Sequence, residues 1–167
     1  RDGLVWDDWV NNVERLLDSG KFRGIHIMNT INALCLYSLD QFLECIMNWK
    51  LEHGRDAVSF TLNILRFPSF QSPLVLPDNL RMVYRQRLIT WLEHWAGSEF
   101  LHEHELNHVQ RLIDYLDVVK TPHSEAFEMP KLLNDFKQFY TQYDQRRDKV
   151  FARTFPNLAE WYDSIQV

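Results

Sequence analysis

The run His104-Glu105-Leu106-Asn107-His108 is the residue string with the most explicit chemistry in this chain. On a helix, residues four apart share a face, so two imidazoles could hold one Zn²⁺ while Glu105 polarises a water. The surroundings weaken that reading. A compact site wants Gly and then His three and six residues beyond the second histidine, and Arg111 and Asp114 stand there instead. Glu103 and Gln110 flank the motif like a solvated helix face, and no antiparallel edge strand precedes it to hold a peptide. His94 and His102 thicken the cluster. A surface histidine cluster with helical charge pairing is the reading we carry forward. Zinc on His104 and His108 is kept as the alternative.

Amides and hydroxyls form the second group. Asn29, Thr30 and Asn32 stand at the end of an Ile-rich segment, and Asn63 and Arg66 stand at the end of a later one. In parallel α/β proteins, ligands lie beyond the carboxyl ends of the strands. There, amides can meet a ribose, a carboxylate or a base edge, or can simply close an Asx turn. Arg66-Phe67-Pro68-Ser69-Phe70 joins a cation to two aromatics at such an end. Arg146, Arg147, Lys149 and Arg153 make a short basic run near the end of the chain. Cys35 and Cys45 are the only cysteines. They are too few for a disulfide framework or a structural zinc, and they read as small buried hydrophobes of a reducing, cytoplasmic compartment.

The elements that must position these groups follow from periodicity. Leu4 to Ser19 carries a helical stripe that ends at Gly20. Residues 24–32 are nearly continuous in apolar character, as in a strand covered on both faces. A helix from Ser38 or Asp40 runs to His53-Gly54. Residues 57–65 alternate as a strand. The Gly-ended helix between the two strands predicts a parallel pair. Three prolines mark 66–79 as a loop. Helices are then expected over 79–95 (with Leu80, Val83, Tyr84, Leu88, Trp91, Leu92 and Trp95 inward), 99–119 and 130–146, and a short one closes the chain. The organisation reads as 1–78, helix–strand–helix–strand, then 79–167, helical.

Composition bounds the rest. The chain has 167 residues, 46% hydrophobic and 25% charged, with a net charge of −5. That excludes disorder and gives no general attraction to nucleic acid or anionic lipid. No apolar run approaches the ~18 residues of a membrane span.

Three segments together carry a resemblance. They are Asn29-Thr30-Ile31-Asn32-Ala33-Leu34 before a helix, Asn63 to Pro68 leading to Leu74-Val75-Leu76-Pro77, and Asp144-Gln145-Arg146-Arg147 followed by Thr154-Phe155-Pro156-Asn157-Leu158. They resemble the C-terminal part of radical S-adenosylmethionine (SAM) enzymes of the twitch-domain-containing kind, with Asn157 where that group has Glu. The resemblance implies an α/β fold, the C-terminal portion of a partial parallel β/α (TIM-like) barrel followed by a helical tail. It implies a parent protein with SAM and a [4Fe-4S] cluster, the cluster-binding Cys-x3-Cys-x2-Cys lying in a missing N-terminal half. By that analogy Asn29, Thr30 and Asn32 would seat SAM, and Asn63 and Arg66 would contact an unknown substrate. The rivals are a zinc hydrolase through His104 and His108, a non-catalytic α/β interaction module, and a complete chain with no cluster.

Overall fold

The computed structural model describes residues 4–166. Its elements are α1 (Trp6–Asp18), β1 (Ile25–Ile31), α2 (Leu39–His53), β2 (Val58–Ile64), α3 (Asp78–Trp95), α4 (Glu103–Leu116), α5 (Met129–Arg147), α6 (Phe151–Thr154) and α7 (Ala159–Ser164). Two 3₁₀ turns, Ser69–Gln71 and Pro73–Val75, fill the proline loop, and a π turn, Ser124–Glu128, leads into α5. No helix among the described residues is long and apolar enough to cross a membrane.

β1 and β2 pair in parallel, with Ile25 opposite Val58 and Ile31 opposite Ile64, as the crossover helix predicts. The barrel expectation is overturned. Helix makes up 66% of the structure, and the sheet has two strands only among the described residues. The physical reason lies at the outer edge of β2. α4 occupies it with side chains, so no further strand can join there. The molecule is a small α-rich domain.

One face of the sheet is buried. Val58, Phe60 and Leu62 are inaccessible to solvent and pack with Leu43, Ile46 and Met47 of α2 and with Val109 and Leu112 of α4. Trp91 of α3 meets Phe60 edge-on at 6.4 Å. The indole N–H groups of Trp91 and Trp95 both donate to Glu44, at 3.1 and 2.9 Å, which satisfies two polar groups that burial would otherwise strand. Val83, expected inward, is 54% exposed.

The other face is open, which corrects the reading of β1 as covered on both sides. His26, Met28 and Thr30 point outward beside Ser59, Thr61 and Asn63, and Met28 is 76% exposed. α1 closes one end of the inner core. Trp9 lies 5.9 Å from both Phe42 and Trp49. α5, α6 and α7 gather around Phe136, Tyr140 and Phe151, with Phe151 stacked on Tyr162 at 3.8 Å.

Gly24 is required where β1 begins. A Cβ there would collide with the carbonyl oxygen of Asp56 as the chain enters β2. Gly24→Ala should therefore lower the unfolding free energy by about 1–3 kcal/mol, read from urea melts. An unchanged midpoint would show that the two strand entries can separate.

Candidate functional site

The histidine motif lies on α4, and its side chains are spent on the edge of β2. In the parallel register, the amides of Phe60 and Leu62 face away from β1. Glu105, fully buried, accepts the Phe60 N–H at 3.1 Å through one oxygen. Its other oxygen accepts the His102 N–H at 2.9 Å and the Lys50 ammonium at 2.5 Å. Lys50, also fully buried, donates in addition to the Phe100 carbonyl at 3.1 Å. Burial pushes the Lys50 pKa below the ordinary lysine range, and Glu105 pulls against that.

One and two turns along the same face, His108 and Arg111 complete the strap. Arg111 donates to the Leu62 carbonyl at 2.7 Å and to His108 Nδ1 at 2.9 Å. A guanidinium can only donate, so Nδ1 accepts and neutral His108 carries its proton on Nε2. Nδ1 also lies 3.4 Å from the Leu62 nitrogen.

This geometry weighs against the zinc alternative. The carboxylate that would polarise water is sealed under Lys50. An arginine cation touches one imidazole. His104 is exposed, with its ring 5.4 Å from that of His102. No cluster of three His, Cys, Asp or Glu side chains suited to a metal occurs among the described residues.

The strand-end amides divide into two sets. Asn29 turns toward the inner face, donating to the Ile27 and Thr61 carbonyls at 3.4 and 3.3 Å. Asn32 is a turn residue. Its Oδ1 accepts the Leu34 N–H at 2.9 Å and the Cys35 thiol at 2.9 Å. Thr30 and Asn63, by contrast, stand opposite each other in the register, exposed on the outward face. On the same face His26 Nδ1 is 2.8 Å from Ser59 Oγ and Nε2 is 3.3 Å from Thr61 Oγ1. Apart from Met28, that wall consists of hydroxyls, an amide and an imidazole. Arg66 is exposed beyond the end of β2 with its guanidinium 5.3 Å from the centre of the Tyr115 ring. It borders a cavity of about 390 Å³ with Ser69, Lys120 and Ser124.

The donor set does not fit an iron–sulfur cluster. Such clusters take several thiolates, and this chain has two cysteines, ten residues apart. Burial raises the pKa of both thiols, the opposite of what thiolate ligation needs.

Compared with models of known protein families, with curated proteins and with solved structures, the chain matches none.

Sequence reasoning gave Lys50 no role beyond the apolar stripe of α2 and read Arg111 only as a break in the zinc pattern. The signal for Lys50 was its place on the apolar stripe of α2, where a cation needs a buried counter-charge. The strap predicts a specific stability pattern. Glu105→Ala strands a buried ammonium and should cost about 3–5 kcal/mol, and adding Lys50→Met should restore much of it. Urea denaturation of the two variants checks this. Full stability of Glu105→Ala would argue against the strap and return Glu105 to a chemical role.

Proposed function

We propose that this chain is the SAM- and substrate-facing C-terminal portion of a radical SAM enzyme, working in a reducing cytoplasmic compartment. The cluster is carried by residues outside it. The observation that carries the reading is the outward face of the sheet. Parallel sheets are ordinarily covered on both faces by apolar helices. Here the uncovered face offers Thr30 and Asn63 side by side at the carboxyl ends of two parallel strands, about 4.8 Å apart across the ladder. A polar wall suits a ligand better than it suits a packing helix.

The sequence resemblance supplies the class of ligand. Since the cysteines here cannot hold the cluster, this chain's part is to bind and to orient. Thr30 is the better SAM contact and Asn63 its neighbour toward substrate. Asn32 is removed from the binding set, because its amide oxygen already closes the turn after β1.

The free edge of β1 supports a second reading, an interaction module. The outward-pointing backbone groups of His26, Met28 and Thr30 face no strand among the described residues, and a sheet edge of that kind accepts an extended segment.

Titration of SAM into the isotope-labelled chain distinguishes the two. The proposal expects saturable shifts at Met28, Thr30 and Asn63, with Thr30→Val and Asn63→Ala each weakening binding by roughly 1–3 kcal/mol. Absence of saturation, or shifts indifferent to both substitutions, would overturn it and leave the interaction module.

A further inference from the structure

The free edge of β1 and the surface at its amino end together describe a ligand. Ile25 donates to the Ala57 carbonyl, and the Ile31 carbonyl accepts the Leu65 N–H, both at 2.8 Å. Alternate residues from Ile25 onward therefore face β2, and the backbone of His26, Met28 and Thr30 faces out. Among the described residues those three amides donate to nothing. The one contact on their carbonyls is the Cys35 thiol, 3.5 Å from that of Thr30. Proteins usually blunt such an edge with charge, proline or a bulge. No Lys, Arg, Asp, Glu or Pro occurs from Ile25 to Ile31, and the register with β2 is unbroken.

α1 floors the space beside that edge. It runs back along β1: Leu4, just ahead of it, shares a wall with Asn32 and Leu34 beyond the end of β1, and Leu16 and Leu17 share one with Gly24 and Ile25 at its start. Val5, Trp9, Asn12 and Leu16 follow at spacings of four, three and four, so they stand on one helix face. Trp9 is taken up by Phe42 and Trp49 of α2, but Val5 and Leu16 are 56% and 44% exposed. An added strand would turn every second side chain toward these apolar residues and the others toward solvent.

The amino end of β1 carries the charge. A cavity of about 390 Å³ opens there, lined by Arg23, Gly24, His53, Arg55 and Asp56 among others. Arg23 and Arg55 are exposed, and neither has an ion-pair partner among the described residues. The acidic groups nearby face histidines instead. Asp56 lies 3.2 Å from His102 Nε2, and Asp18 and Glu52 each lie 3.9 Å from His53 Nε2. A segment running antiparallel to β1 brings its carboxyl end to these arginines, whereas a parallel one brings its amino end.

We propose that the β1 edge binds an extended peptide antiparallel to β1, apolar at every second residue and ending in a carboxylate held by Arg23 and Arg55. Backbone pairing supplies the attachment, and side-chain alternation and the terminal charge supply the selection. The proposal rests on the interaction-module reading of this edge and is independent of SAM.

The test titrates peptides into the isotope-labelled full chain. The probe is acetyl-Lys-Thr-Val-Thr-Val-Thr-Val with a free carboxyl end. One comparator is its carboxyl-terminal amide, and the other has the same composition and free carboxylate with the three valines adjacent. The expected result is saturable shifts of the His26, Met28 and Thr30 amides by the probe, with a Kd of about 0.1–1 mM. The amide form should bind about fivefold more weakly, a difference that disappears in about 0.5 M salt, and the shuffled peptide severalfold more weakly. Arg23→Gln should bring the probe down to the affinity of its amide and leave the amide form unchanged. Arg55→Gln repeats that comparison on the second cation. Equal binding of acid and amide, indifference to both substitutions, or equal binding of the shuffled peptide would overturn the proposal and leave the open-edge reading standing. No saturable shift at the three amides with any peptide would overturn both.

Discussion

Two parallel strands have two outer edges, and this fold satisfies only one of them. The amide of Phe60 and the carbonyl of Leu62 would, in a larger sheet, be bonded to a third strand. Here Glu105 and Arg111 meet them instead. Removing a backbone donor from water without a partner costs on the order of 1–3 kcal/mol, so a buried β2 edge needs those side chains or a strand. A carboxylate sealed at that depth then needs a cation, and Lys50 of α2 is the one in reach. The pair thus ties α2, β2 and α4 into one unit. Ion pairs of this kind add little net stability over a well-packed apolar substitute. What this one fixes is the seat of α4 on the strand edge, and hence the end of the sheet on that side.

The consequence is an asymmetric molecule. The inner face of the sheet and the β2 edge are closed by α2, α3 and α4, while the outward face and the β1 edge remain open. The chain's candidate binding residues lie away from the closed side: Thr30 and Asn63 sit on the open face. The fold spends polar side chains on the β2 edge and pairs the β1 edge with no strand among the described residues.

Much of this architecture could be read from the sequence. The pairing and direction of β1 and β2 followed from two extended runs joined by a helix that stops at Gly54, because a crossover of that length can only return the chain parallel. The open face was harder to see. Met28 between Ile27 and Asn29 blurs a period-two pattern that His26 and Thr30 alone would have shown, and so β1 read as doubly covered. Asn32 could not be assigned from its type, since an amide before a helix serves a turn or a ligand equally well until the Leu34 N–H is seen on it. The Lys50–Glu105 pair spans 55 residues and is a tertiary fact. Only the misfit of a lysine on an apolar stripe hinted at it. The barrel expectation failed for the same reason. Nothing local in His104–Arg111 says that these residues face a strand edge rather than solvent or a metal.

Native-state amide hydrogen exchange tests the central claim directly, because it reads the two sheet edges separately. If α4 closes β2 as the geometry indicates, the Phe60 amide exchanges only with global unfolding, as the inter-strand amides of Ile27 and Thr61 do, while the amides of His26, Met28 and Thr30 exchange orders of magnitude faster. Fast exchange at Phe60, or equal protection along both outer edges, would contradict the account.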